Sequence, residues 1–237
     1  MKCDAHCAFD KGFDVKMMAE IHDDCTIVPI MRNLHAFDWV CPDGHRRYQS
    51  PSGVCRECGK PTAKDVVWIA KTNPQSTSYC FDQEPHFQYF REFAKRPEYK
   101  KDLEEKKLTE SMSIQGSCFM LTRDKYWELN ISDESFGSWG SQGIEVACKT
   151  WLSGGKVMIN HKTWYAHMFR TQGGDFGFPY ENPGKKVEYA KKTARELFFD
   201  NKWEKQIHPL SWLLEKFWPV PGWTEEQLGS LKQAEQS

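Results

Sequence analysis

The sequence predicts a mixed α/β domain. Short apolar runs of strand length, such as residues 25–31 and 117–122, alternate with segments whose apolar residues recur at helical spacing. Hydrophobic content of 39% and aromatic content of 14% supply enough apolar surface for a core. A chain of 237 residues makes one large domain or two small ones. No apolar run approaches the length of a membrane span. The net charge of −1 provides no overall field to recruit nucleic acid or an anionic membrane.

The elements follow in order. Asp4-Ala5-His6 is the kind of motif that ends a buried strand, yet only three residues precede Asp4. Phe13, Met17, Met18 and Ile21 fall at helical intervals, Asp23-Asp24 breaks that helix, and residues 25–31 read as a strand. Residues 66–70 read as a returning strand and 71–78 as a loop. Residues 87–107 are charged and poor in branched apolar side chains, which predicts a surface helix interrupted at Pro97. Residues 117–122 form a strand after Gly116, and 124–129 a short helix. Ile144, Ala147, Cys148, Trp151 and Leu152 share one face of a helix that Gly154-Gly155 stops. Val157 and Ile159 alternate as one strand, and residues 163–168 read as another. A glycine-aromatic loop over 172–180 leads to a last amphipathic helix through Val187, Ala190, Ala194, Leu197 and Phe198. The Trp- and Pro-rich tail, 208–223, is expected to pack across the domain, and 224–237 to form a surface or frayed end.

Nine cysteines is an odd count, which argues against a complete disulfide framework. Asp4 sits where the apolar region of an export signal would begin, so a reducing, cytoplasmic setting is expected. Cys3, Cys7, Cys25, Cys80, Cys118 and Cys148 read as buried small apolar groups. Cys41-x3-His45-x9-Cys55-x2-Cys58 has the donors and spacing of a closed, tetrahedral, structural Zn2+ site. This predicts a zinc-ribbon-like insertion over residues 33–70; the plainer alternative is a set of reduced surface thiols beside a chance histidine. Arg46, Arg47, Arg56, Lys60 and Lys64 make a modest basic cluster there. A nucleic-acid module is therefore a further reading, and the near-neutral chain weighs against it.

Asp4-Ala5-His6-Cys7, residues 116–123, Asp133-Glu134, Trp139-Gly140, Trp151 with Gly154-Gly155, and Ala166-His167-Met168-Phe169-Arg170 occur in one order. The set resembles the second half of a family 2-type glycosyltransferase of the GT-A fold. It is most similar to the polypeptide N-acetylgalactosaminyltransferase branch, over about residues 1–12 and 111–170. The resemblance implies a partial GT-A fold and transfer of a sugar from a nucleoside-diphosphate sugar, a UDP-sugar foremost, to an unknown acceptor hydroxyl. It implies Mn2+ or a similar divalent cation on Asp4, His6 and His167, stabilising charge on the leaving diphosphate. Arg170 would assist the diphosphate, and Glu145 or Asp175 would be the base. Asp133, Glu134, Trp139, Gly140 and Gln142 would lie toward the substrates, and Trp139, Trp164, Tyr165, Phe176 and Phe178 could stack on sugar faces.

Each assignment has a bland counterpart. Asp4 could cap a turn beside ordinary histidines, and Asp133 and Glu134 could do the same. Glu145 could pair with Lys149 on an exposed helix face, Asp175 could sit in a simple turn, and Arg170 could pair with a local acid.

Two departures from the family pattern bear on activity. The family's Trp-Gly-Gly-Glu-Asn/Asp reads Trp139-Gly140-Ser141-Gln142-Gly143, and a glutamine cannot take a proton from a hydroxyl. The family's nucleotide-binding βαβ region precedes the Asp-x-His motif and has no counterpart in these residues. A sheet lacking those strands would expose unpaired edges, so a partner chain or self-association is expected. The alternative function is accordingly a split transferase subunit, or a non-catalytic remnant that binds glycan or protein. The expected division is 1–32 as the start of the catalytic region, 33–70 as the insertion, 71–170 as the catalytic region, and 171–237 as lid loop, helix and tail.

Overall fold

A computed structural model describes residues 1–137, 140–169 and 184–236. The chain begins with two short strands, β1 (Lys2–Cys3) and β2 (Cys7–Phe9), then helix α1 (Phe13–Met18). A long hairpin follows, made of β3 (Cys25–Val40), β4 (Arg46–Tyr48) and β5 (Ala63–Pro74). Next come β6 (Tyr79–Phe81), β7 (Phe87–Tyr89), α2 (Pro97–Glu105), β8 (Leu108–Glu110), β9 (Cys118–Phe119), α3 (Arg123–Glu128), α4 (Gln142–Leu152) and β10 (Lys156–His167). Helices α5 (Gly184–Ala194), α6 (Leu210–Phe217) and α7 (Glu225–Glu235) complete the described residues, none of them long and apolar enough to cross a membrane.

The main sheet runs in the order β2-β10-β3-β4, with β8 also on β10 and β5 also on β3. Among the described residues only β10 and β3 pair in parallel, from Lys156 opposite Cys25 to His167 opposite Asn33. The crossover between them is roofed by α4, whose face of Ile144, Ala147, Cys148, Trp151 and Leu152 is buried. The Thr26 and Thr150 hydroxyls, 2.7 Å apart, tie sheet to helix inside the core. Trp151 is anchored by its indole N–H donating to the Ser111 carbonyl at 3.0 Å. Truncating a tryptophan packed this way costs about 3–5 kcal/mol.

Several elements differ from the sequence reading. The strand expected over 25–31 continues to Val40, because from Arg32 onward it gains β5 as an antiparallel partner. The polar Arg32-Asn33 pair reads as a stop only while that partner is out of sight. Residues 71–74 belong to β5 for the same reason. The two strands expected around 157–168 are one strand, irregular between Asn160 and Trp164. The Asn160 side chain absorbs the irregularity, donating to the Lys16 carbonyl and accepting from the Lys162 N–H. Residues 87–107 are not one helix: Phe87–Tyr89 pairs with β6, and Pro97 starts α2 rather than interrupting it. Proline suits that first turn because its missing N–H would have had no helical partner. The expected frayed end is the helix α7, opened by a reciprocal Thr224–Gln227 capping box and docked through buried Leu231. Cys3 is exposed and Cys7 half-buried, whereas Cys25, Cys80, Cys118 and Cys148 are buried as expected.

Candidate metal centre and adjoining cleft

Pairing of the first ten residues builds one end of the site. Strand β1 pairs with β9, and the Asp4 N–H donates to the Ser117 carbonyl at 2.8 Å. Strand β2 pairs with β10, setting Cys7 opposite His167, and the Met168 N–H donates to the His6 carbonyl at 3.2 Å. Asp4 and His6 therefore flank the end of β10, where His167 sits.

The three side chains meet. One donor atom each from Asp4, His6 and His167 lies within 4.8 Å of the others. Asp4 Oδ2 stands 3.1 Å from His167 Nε2, and the His6 and His167 ring centroids are 4.6 Å apart. Phe169 covers His167 with its ring 4.4 Å away. Burial acts to raise the Asp4 pKa, but hydrogen bonds from His167 and Lys2 outweigh it and hold the carboxyl at about 2. Burial, with repulsion from His167, pushes His6 below the ordinary histidine range. At neutral pH the set therefore offers an anionic carboxylate and a neutral His6 imidazole, the states that bind a cation. His167 is buried, and its Nδ1 has no hydrogen-bond partner among the described residues. Such an atom is costly unless something ligates it. One carboxylate and two imidazoles fit a borderline divalent ion such as Mn2+.

A cleft of about 630 Å³ adjoins this cluster and is lined by Lys2, Asp4, Gly116, Asp133, Gln142 and Glu145 among others. The start of α4 reaches it by close approach to the β9 approach loop: a Cβ on Gly143 would lie 2.1 Å from the Ile114 carbonyl oxygen. Gly140, at φ 113°, also lines the cleft and passes against Ala190, where a Cβ would come within 3.1 Å. Gln142 donates to the Ser132 hydroxyl at 3.1 Å. Lys191, on another wall, is engaged with Glu188 and His86.

Glu145 and Lys149 do pair, but in the interior rather than on an exposed face, at 2% and 0% side-chain exposure. Glu145 Oε1 accepts from Lys149 Nζ at 3.0 Å and from the Asp133 N–H at 2.9 Å. Lys149 also donates to the Asn130 carbonyl at 2.6 Å and to Asp133 Oδ2 at 3.3 Å. Burial raises the Glu145 pKa, with Lys149 opposing. The unit ties the 130–137 segment to α4. Asp133 also caps the following turn by accepting from the Ser135 N–H. Glu134 is exposed and outside the cleft lining. Tyr165 is buried against the Ser117 hydroxyl and does not line this cleft, and Trp164 lies under the Arg32 guanidinium. Trp139, Arg170, Asp175, Phe176 and Phe178 lie outside the described residues.

A second cluster occupies the tip of the β3–β5 hairpin. His45 Nδ1 is 3.5 Å from Cys41 Sγ and 3.6 Å from Cys55 Sγ, and the Cys58 and Cys41 sulfurs are 3.6 Å apart. These are close to the donor separations, about 3.5–3.8 Å, of a tetrahedron with Zn–S and Zn–N bonds of ordinary length. Two tight turns build it, with Gly44 donating to the Cys41 carbonyl and Gly59 to the Cys55 carbonyl, both at 2.9 Å. Both glycines have positive φ, 82° and 71°, which other residues adopt with strain. The outer ring nitrogen of His45 lies 3.5 Å from a Glu57 carboxylate oxygen, the orienting contact a ligating histidine commonly has.

Sequence reasoning missed Lys2 and the tertiary role of Lys149. The i,i+4 spacing to Glu145 signals the pair but not its burial, and nothing in the spacing singles out Lys2.

No protein-family model matches the chain. In sequence it is similar to polypeptide N-acetylgalactosaminyltransferases. A probable N-acetylgalactosaminyltransferase 6 of Caenorhabditis elegans is 26% identical over 102 residues, covering 43% of this chain and 16% of that protein. N-acetylgalactosaminyltransferase 7 of Rattus norvegicus is 30% identical over 63 residues, 27% of this chain and 10% of the relative. Polypeptide N-acetylgalactosaminyltransferase 3 of Drosophila melanogaster is 24% identical over 136 residues, with 44% of this chain and 20% of the relative covered. The chain thus matches at most a fifth of the length of these curated relatives. In fold it is similar to a solved structure of GalNAc-T7 with UDP, GalNAc and Mn2+, at TM-score 0.55 and 16% identity, over 99% of this chain and 38% of that one. The likeness is one of fold, and it makes the architecture GT-A-type.

Proposed function

We propose that this chain carries the metal-binding part of a glycosyltransferase that moves a sugar from a nucleoside-diphosphate sugar, a UDP-sugar first among them, to an acceptor hydroxyl. The observation that carries the reading is the convergence of Asp4, His6 and His167 at one edge of a 630 Å³ cleft. Asp4, His6 and His167 would hold the divalent cation. When bound, it would neutralise charge on the departing diphosphate. Asp133, Gly140 and Gln142 line the remaining cleft and would orient the donor sugar or acceptor. Glu145, whose Oε1 already accepts from Lys149 and Asp133, serves better to hold the 130–137 segment than as a mobile base. Arg170 and Asp175 keep the roles expected from the sequence.

The test is transfer and hydrolysis of labelled UDP-sugars by the full 237-residue chain with Mn2+. Mn2+-dependent turnover lost in Asp4→Ala is the expected result; no turnover of any sugar nucleotide with Mn2+ present sinks the reading. One observation favours the non-catalytic alternative: Gln142, at the position of the family's loop acid, lines the cleft and is tied to Ser132. Glycan binding without turnover, on an array with wild-type protein, would select it.

The same reading gives Cys41, His45, Cys55 and Cys58 a structural Zn2+. Four protein donors leave no open position for chemistry, so its work is to hold the hairpin tip. Elemental analysis of purified chain returning one zinc, removed by Cys58→Ser, supports this; a metal-free, folded hairpin overturns it.

A further inference from the structure

Lys2 has no role in the reading above, yet its ammonium touches one of the three residues at its centre. Its Nζ donates to Asp4 Oδ1 at 2.6 Å and to the Gly116 carbonyl at 2.7 Å, and its side chain lines the cleft. Asp4 is shared between two neighbours: Oδ1 faces Lys2, and Oδ2 faces His167. An ammonium has three donors. Two are used here, and the side chain keeps 31% of its exposure, so the third can meet a ligand. The Gly116 carbonyl belongs to the same loop that packs against the start of α4, so the ammonium is fixed to the cleft wall rather than waving in solvent.

A lysine serving only to balance Asp4 would need neither the backbone anchor nor the cleft. A diphosphate carries more negative charge than one divalent cation neutralises. A fixed ammonium at the metal ligand supplies the remainder through a charge-assisted hydrogen bond, which is stronger than one between neutral groups. The other lysine of the described lining, Lys191, is already engaged by Glu188 and His86.

We propose that Lys2 is a second cation for the phosphate groups of the ligand, acting beside the metal held by Asp4, His6 and His167. The proposal rests on the donor site described above and on no particular sugar or base. Lys2 would touch a phosphoryl oxygen with its third N–H while keeping its two present bonds. It would therefore contribute to binding of any diphosphate and to none of the binding of a nucleoside lacking phosphate.

The experiment is calorimetry with inorganic pyrophosphate on the full chain at saturating Mn2+, comparing wild type, Lys2→Met and Lys2→Arg. Lys2→Met is expected to weaken pyrophosphate roughly ten- to hundred-fold, with the deficit shrinking at high salt. Lys2→Arg, which keeps the charge, should recover most of it. Uridine is the control and should bind both forms alike. Mn2+ affinity without anion is read separately by electron paramagnetic resonance, and should be equal or tighter in Lys2→Met because a neighbouring cation has gone. Thermal melts of the variants report folding. Pyrophosphate bound equally by wild type and Lys2→Met, or not bound by wild type, overturns the proposal. So does a collapse of Mn2+ affinity in Lys2→Met, which would make Lys2 merely a prop for Asp4. If no UDP-sugar is turned over but the pyrophosphate deficit is found, the transferase reading fails and the role of Lys2 stands.

Discussion

Asp4 and His167 lie 163 positions apart in the chain and 3.1 Å apart in the fold, carboxylate oxygen to ring nitrogen. The short ladders β1–β9 and β2–β10 make that contact, holding Asp4 and His6 against the end of β10. Removing His167 leaves Asp4 paired with Lys2, and removing Asp4 takes away the partner of His167 Nε2 at the edge of the cleft.

Asp4→Ala and His167→Ala are therefore each expected to weaken Mn2+ binding by at least about a hundred-fold, since each deletes one of few donors. Titration of Mn2+ followed by electron paramagnetic resonance measures this. Glu134→Ala, at an exposed position outside the cleft lining, should leave it unchanged.

Lys149→Met strands Glu145 as a buried, uncompensated acid. Removing one partner of a buried pair costs about 3–5 kcal/mol, whereas exchanging both for neutral groups costs much less. The double variant Glu145→Gln/Lys149→Met should thus be more stable than Lys149→Met alone in urea unfolding. Strict additivity of the two single changes would show that the pair is not coupled.

If the hairpin tip holds zinc as proposed, its removal should be felt at the Asp4, His6 and His167 cluster. The hairpin residues Leu34, Ala36, Phe37 and Trp39 share a small core with Ala166 and Met168, which bracket His167. Chelation, or Cys58→Ser, is expected to lower the melting temperature and speed amide exchange across residues 34–40 and 166–168. Exchange confined to the hairpin tip would argue against this coupling.

Histidine 161 sets an acid limit on stability. Burial pushes the His161 pKa down to about 4, and its Nε2 lies 2.9 Å from the Thr109 hydroxyl. The unfolded chain binds a proton there from about pH 6.5 downward, while the folded chain does not until about 4. Between those values the unfolded state holds more protons, so stability falls as pH falls. The loss amounts to about 2 kcal/mol after allowance for the partial exposure of the ring. Denaturation midpoints measured from pH 7 to pH 4 should flatten in His161→Gln; an unchanged slope would assign the effect to other groups.

Local pattern made much of the chain legible. The helical spacing through Ile144, Cys148 and Trp151 predicts the buried face of α4, and the start of α1 is correctly read from Phe13 and Met17. The Cys41, His45, Cys55 and Cys58 spacing predicts donors that do come together, because two short turns each gather a pair of donors and the β3–β5 hairpin brings the two turns side by side. Pro97 is misread because proline breaks a helix interior but opens a first turn, and sequence alone leaves its position undecided.

What the sequence by itself determined is therefore of short range: helix faces, hairpin turns and the donor types at the hairpin tip. Only the tertiary structure decided where β3 ends, that Lys149 is buried with Glu145, and that Lys2 reaches both Asp4 and the Gly116 carbonyl. The reason is physical. Periodicity encodes which face of an element avoids water, whereas strand extension, ion burial and ligand convergence depend on packing against partners from tens to more than a hundred residues away, whose free energy no local window contains.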